Sequence, residues 1–239
     1  MTTKVVPGML VAMQTADDVA REAASRIATL LREALKKNGK ASLALSGGET
    51  PRATYKELAR QEGIAWAAVH ILFVDERAVA PDHARSNYRM VKESLIDPAR
   101  VPADRVHRMK GESADLETAA REYADIVKAH SPIDVMVLGI GDDGHTASIF
   151  PGDATIDVTD RQVVAVPAKG DREARITMTA PGIVASSAVF IIAVGANKTD
   201  ALDRIWSVSG KKKDTPARLI REVRGAITWI IDKAAGGIG

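Results

Sequence analysis

The chain predicts a doubly wound, mainly parallel α/β sheet with helices on both faces, and three features carry that reading. Short apolar runs rich in Val, Ile and Leu, such as 69–74 (VHILFV) and 188–194 (AVFIIAV), have the continuous pattern of strands covered on both sides. They alternate with stretches of helical periodicity, joined by loops of a few residues. Glycines and charged residues gather where several of the runs end. The pattern does not disclose the strand order.

Lys4 and the following VVPGMLVAM read as a first strand, because Pro7 and Gly8 interrupt the apolar run that a signal peptide would need. Thr15 to Asp18 resembles a capping box, and Val19, Ala23, Ile27, Leu30, Leu31 and Ala34 recur at helical spacing until Asn38-Gly39. The strand 41–46 (ASLALS) runs into Gly47-Gly48, and Pro51, at an expected first helical position, opens RATYKELA. Strand 69–74 is followed by Asp75-Glu76-Arg77, a polar loop through Ser86-Asn87-Tyr88, and a helix over 89–95. A helix over 115–128 precedes the strand that starts after Asp134. The run 163–166, continued through Pro167 to Gly170 towards ARITMT, is able to form a small arm over the site. Strand 188–194, a helix over 199–206, a short helix capped by Thr215-Pro216 and a strand over 226–231 complete the pattern, with Gly236 to Gly239 as a frayed tail. Residues 1–239 read as one α/β unit without repeats or linkers.

Bulk composition narrows the function. Hydrophobic residues make up 46% and charged residues 27%, with a net charge of +2, ordinary for a soluble globular protein. The one tight basic cluster, Lys211 to Lys213, lies beside Gly210 and Asp214 without interleaved aromatics, so it reads as a solvated loop and not a nucleic-acid surface. No segment approaches the roughly 20 apolar residues of a membrane span. The absence of cysteine removes thiol chemistry and fits a reducing interior, with cytoplasm as the expected location.

The most informative stretch is 133–152, IDVMVLGIGDDGHTASIFPG, where a buried-strand pattern meets a glycine turn carrying Asp142, Asp143 and His145. In open parallel sheets ligands bind beyond the carboxyl ends of strands, which is where these groups fall. His145 is the general acid–base candidate, because an imidazole of ordinary pKa about 6.5 takes up and releases protons near neutrality. Asp143 or Asp142 orients it, and spacing does not choose between them. Metal is disfavoured for this loop, since adjacent aspartates do not readily face one centre and no second histidine-rich element completes a ligand set. Gly47 and Gly48, ahead of a helix, allow backbone N–H groups to converge on an anion, although a plain tight turn explains them equally well. Arg77, Arg175 and Lys198 lie near other strand ends and would add charge-assisted bonds to a phosphate. Ser46 and Ser148 lack the setting of an activated nucleophile, and His70, His83, His107 and His130 read as ordinary strand, loop or surface residues.

LALSGGETPRATYKELA, FVDERAVAPDHARSNYRM, VLGIGDDGHTASIFPG and RITMTAPGI together resemble the 6-phosphogluconolactonase family, with matches from Leu43 to Lys198. The resemblance implies a sheet shared with glucosamine-6-phosphate deaminase and ribose-5-phosphate isomerase. It further implies metal-independent, cofactor-free hydrolysis of 6-phospho-D-glucono-1,5-lactone, a small-molecule sugar-phosphate lactone. By the same resemblance His145 is the base that activates water and Asp143 supports it. Gly47, Gly48, Arg77 and Lys198 hold the phosphate, with Arg175 assisting. One departure stands before RIT, where the family often has a Lys-Pro-Pro type stretch and this chain reads VPAKGDREA, so Lys169 and Arg172 receive no role.

Two other protein classes share parts of this pattern. A deaminase-isomerase of the same fold carries Glu in an Asn-Glu-Pro segment after Gly-His, where this chain has Ile149-Phe150-Pro151, and Phe cannot shuttle a proton. A sugar-phosphate sensor would attach a helix-turn-helix domain, whereas the 40 residues before strand 41–46 read as one strand and one helix. No obligate protein partner is expected.

Overall fold

The computed structural model describes residues 3–237, and its central feature is a six-stranded sheet in which every neighbouring pair is parallel. The strands are β1 (Met9–Met13), β2 (Ala41–Leu45), β3 (Val69–Phe73), β5 (Val135–Gly139), β8 (Ala188–Ala193) and β9 (Ala226–Asp232), in the order β1-β9-β8-β5-β2-β3. β2 and β8 are buried along their whole length, as their unbroken apolar runs predict for strands covered on both faces. Three further strands, β4 (Asp75–Arg77), β6 (Val163–Val166) and β7 (Arg175–Met178), form a small antiparallel sheet in the order β4-β7-β6. The 163–178 segment is thus a hairpin paired to Asp75–Arg77, and Asp75-Glu76-Arg77 is itself strand where sequence suggested loop.

The helices are α1 (Ala16–Asn38), α2 (Glu49–Leu58), α3 (Asn87–Val91), α4 (Leu116–Ala129), α5 (Ala180–Val184), α6 (Thr199–Trp206) and α7 (Lys233–Gly236). The capping box at the start of α1 is present: the Thr15 hydroxyl accepts from the Asp18 N–H at 3.1 Å and Asp18 accepts from the Thr15 N–H at 3.2 Å. Gly39 ends α1 in the left-handed conformation, at φ 70°. α2 starts two residues earlier than expected, with Gly48 as N-cap, so that Pro51 falls third in the helix, where its missing N–H still costs nothing. The helix expected over 89–95 begins at Asn87 and passes into a π turn over Lys92–Ile96. The expected first strand is shorter, starting only at Met9. Gly236 belongs to α7, not to a frayed tail, while Ile238 and Gly239 of that tail lie outside the described residues. Among the described residues no helix is long and apolar enough to cross a membrane. Lys211 to Lys213 are exposed, and Lys212 pairs with Glu222 at 2.7 Å.

β3 is an edge strand, and its open side is closed by other parts of the chain. Val106 bridges Ile71, and the His107 N–H donates to the Ile71 carbonyl at 2.9 Å. The buried Tyr123 hydroxyl of α4 accepts from the Phe73 N–H at 2.6 Å and lies 3.1 Å from the Phe73 carbonyl, which it can donate to. One side chain therefore satisfies the peptide N–H of Phe73 at the open edge of β3. Tyr123→Phe should lower stability by about 1–3 kcal/mol, the cost of leaving a buried N–H unpaired. The check is the urea midpoint at unchanged m-value; a midpoint equal to wild type would show that the hydroxyl carries no such role.

Candidate active site

Of the adjacent strands β2 and β5, β2 leads on to β3 on one side and β5 leads on to β8 on the other, so their connections run in opposite directions. A crevice opens where such a sheet reverses, beyond the carboxyl ends of the two strands. A cavity of about 260 Å³ fills it, bounded by Ser46 to Pro51 after β2 and by Gly139 to Gly141, His145 and Ala147 after β5. Arg77 of β4, Asn87 of α3 and Lys198 ahead of α6 line the rest, with Asp75 and Ile192.

The loop after β5 is shaped around one pair. Asp143 Oδ1 accepts from the His145 backbone N–H at 2.9 Å and lies 2.6 Å from His145 Nδ1. The hydrogen bond from His145 is the main reason the Asp143 carboxyl falls from an ordinary 3.8 to about 2. Asp143 is therefore ionised at any working pH, Nδ1 must carry the proton that faces it, and Nε2 is left as the basic nitrogen. Gly141 makes this possible, since a Cβ there would meet His145 Nδ1 at 2.1 Å. The Gly141 N–H donates to the His145 carbonyl at 2.9 Å and closes the turn. Ala147 completes the loop at φ 52°, the left-handed region that non-glycine residues seldom adopt.

Asp142 does different work. Its Oδ1 accepts from Lys198 Nζ at 2.5 Å and from Asn197 Nδ2 at 3.0 Å, and its carbonyl accepts from Arg204 at 2.9 Å. The Lys198 contact is the first cause of its lowered pKa. Two adjacent aspartates are thus divided, one holding the imidazole and one anchoring the lysine, and they do not share a centre as metal ligands would.

On the opposite wall Gly47 passes so close to Asn87 that a Cβ would lie 1.8 Å from Asn87 Oδ1. The first-turn N–H groups of α2, which have no partners within the helix, belong to the same cavity wall and provide an anion-binding end. Arg77 is held by bonds from Nη1 to Asn87 Oδ1 at 2.5 Å and to the Arg85 carbonyl at 2.8 Å. The buried Glu76 carboxylate accepts the N–H groups of Asn87 and Tyr88, each at 2.8 Å, and the Ser86 hydroxyl at 2.9 Å, which fixes the start of α3. Burial pushes the Glu76 carboxyl up.

Of the residues expected at the site, Gly47, Gly48, Arg77, His145 and Lys198 all line the cavity, and Asp143 stands behind His145. Arg175 is not among the residues that line the cavity. It is cross-strand partner to Arg77, 3.6 Å from Asp75 and 3.7 Å from Glu173. Burial is the chief cause of its lowered pKa. Phe150 packs against His145 with ring centroids 4.6 Å apart, and the Arg172 guanidinium lies 3.9 Å from the Phe150 centroid. Lys169 and Arg172 pair with Asp153 at 2.8 and 2.5 Å. Asn87 and Asp75 were missed as wall residues; Ser86-Asn87 has the composition of a helix cap, but nothing in the spacing ties it to Gly47. The Ser46 hydroxyl is buried without a partner, hence without a base to activate it.

The lowered Asp143 pKa has a defined effect on stability. A carboxylate with a folded pKa below its unfolded value stabilises the fold above the unfolded value and loses that contribution as pH falls through the folded one. The stability difference between wild type and Asp143→Asn should therefore shrink as pH falls from about 4 to about 2. Asp143 is half exposed, so screening limits the difference to about 1 kcal/mol or less. Urea melts across this range are the check, and a gap that widens on acidification would contradict the pairing.

The family model described as glucosamine-6-phosphate isomerases/6-phosphogluconolactonase matches residues 14–229. A 6-phosphogluconolactonase of Synechocystis sp. is 35% identical over 218 residues, covering 88% of this chain and 89% of the relative. The crystal structure of a 6-phosphogluconolactonase from Shewanella baltica superposes with a TM-score of 0.87 at 29% identity, over 96% of this chain and 99% of that one. A monomeric glucosamine-6-phosphate deaminase shares the fold, with a TM-score of 0.83 at 22% identity, over 97% of this chain and 100% of that one. The chain belongs to the glucosamine-6-phosphate isomerase/6-phosphogluconolactonase family.

Proposed function

We propose that this protein hydrolyses 6-phospho-D-glucono-1,5-lactone to 6-phospho-D-gluconate, a step of the oxidative pentose phosphate pathway. The observation that carries the proposal is the Asp143-held His145 facing a cavity whose other walls bear Arg77, Lys198 and the glycine-loop amides. His145 Nε2 takes a proton from water, and the hydroxide adds to the lactone C1 carbonyl. The bond from C1 to the ring oxygen then breaks, and the imidazolium returns its proton to that oxygen. Asp143 keeps the imidazole in the required tautomer and stabilises its charged form. The steps use one base, one water and hydrogen-bond donors, so they call on no cofactor.

Gly47, Gly48, Arg77 and Lys198 hold the phosphate and so fix C1 beside the water, while Arg175 strengthens the positive potential beside Arg77. All 239 residues act as one catalytic unit on a small molecule, without nucleic acid, membrane or obligate protein partner. A cytoplasmic location goes with a cysteine-free chain. The deaminase reading is disfavoured by Phe150, which packs on His145 where a deaminase carries a glutamate.

His145→Ala should cut kcat by at least about 100-fold with KM little changed, the scale for losing an acid–base group. Near-normal turnover would remove His145 from the chemistry. Arg77→Ala should act chiefly on KM for the phosphorylated lactone, and an unchanged KM would take Arg77 out of the phosphate site.

A further inference from the structure

Three histidines that stand in unrelated settings along the chain meet near the amino ends of β2 and β3, away from the cavity at the strands' carboxyl ends. His70 is the second residue of β3, His107 follows the single turn Ala103–Arg105, and His130 is the C-cap of α4. Each is held by its backbone: His70 pairs with Ser42, His107 donates to Ile71, and His130 donates to the Ile126 and Val127 carbonyls at 3.2 Å. Ring centroids are 5.2 Å apart for His70 and His107, 4.4 Å for His70 and His130, and 4.9 Å for His107 and His130. His70 Nδ1 and His107 Nε2 are 2.9 Å apart, and one nitrogen from each of the three rings lies within 4.8 Å of the other two.

Packing alone does not call for three imidazoles, because apolar rings would fill the same space without desolvating ring nitrogens. We propose that His70, His107 and His130 hold one divalent transition-metal ion, Zn²⁺ by ligand type, with water as the fourth ligand. Three imidazole nitrogens at about 2.0–2.1 Å from Zn²⁺ in tetrahedral geometry stand about 3.3 Å apart, so on binding the 2.9 Å pair of His70 and His107 opens slightly while the wider separations, up to 4.8 Å, close. A second cavity, of about 230 Å³, opens beside His70 and His130 and is also lined by Lys40, Ser42 and Asp134, which supplies an entry path and room for the water. Lys40 and Arg105 face the cluster as cations and Asp104 and Asp134 as carboxylates, so the surroundings carry no net charge against the ion. Burial disfavours the protonated form of all three rings, which suits ligands that bind as neutral imidazole. The ion would clamp β3, the 103–107 segment and the end of α4 together, a stabilising role separate from the chemistry at His145.

The test is ZnCl₂ titrated calorimetrically into EDTA-treated, dialysed protein, together with thermal unfolding with and without the metal. One equivalent should bind and raise the Tm, and EDTA should reverse the rise. His130→Ala and, separately, His107→Gln should each weaken Zn²⁺ affinity by at least about tenfold while keeping wild-type circular dichroism and lactone turnover. His145→Ala should keep the binding. The proposal is overturned if wild type binds no Zn²⁺, if both cluster variants bind it as tightly as wild type, or if binding is lost in His145→Ala instead.

Discussion

The buried Asp75 carboxylate is the contact on which the arrangement of the site depends. Oδ2 accepts the Ser148 hydroxyl at 2.6 Å, Oδ1 lies 3.1 Å from Asn87 Nδ2, and Arg175 stands 3.6 Å away. One side chain at the start of β4 thereby ties the His145 loop, the head of α3 and strand β7. Asn87 in turn receives Arg77, and the Ser148 N–H donates to the Thr177 hydroxyl of β7 at 3.0 Å. A buried carboxylate is costly unless its oxygens are satisfied, and here satisfying them is what draws the separate loops together.

Charge is distributed around the cavity so that each ionised group already has a partner. Asp143 faces His145, Asp142 faces Lys198, and Glu76 is surrounded by N–H and O–H donors. The cations Arg77 and Arg175, directly opposed on β4 and β7, are the exception: like charges in cross-strand register repel, and the nearby carboxylates Asp75 and Glu173 offset this only in part. A dianionic phosphate bound beside Arg77, as proposed, would relieve that repulsion. Fixed donors of this kind need little reorganisation when charge develops, the condition under which electrostatic stabilisation is most effective.

What the sequence discloses follows from how local each cause is. The parallel sheet is legible because strands such as β8 are apolar along their full length, and α1 is legible because its cap, its stripe and its terminating glycine are contiguous. His145 and the glycine loop stand out for the same reason. The division of labour between Asp142 and Asp143 does not, since it depends on Lys198, which arrives from a distant part of the chain. Asn87 escapes notice because its contact with Gly47 is purely spatial. Arg175 is legible as a cation at a strand start before ITMT, but its place beside Arg77 comes from the β4–β7 register, which the sequence does not disclose. The three clustered histidines are unremarkable one by one, and only the docking of α4 and the 103–107 segment against β3 unites them.

What enters the crevice between β2 and β5 decides what the protein does. The most direct measurement generates 6-phosphogluconolactone in situ from glucose 6-phosphate with its dehydrogenase, in EDTA, and follows 6-phosphogluconate formation through a coupled dehydrogenase, with glucosamine 6-phosphate tested in parallel. Lactone opening well above the spontaneous rate, with glucosamine 6-phosphate left untouched, is the predicted result. A lactone rate equal to the spontaneous one, or release of ammonia from glucosamine 6-phosphate, would contradict it.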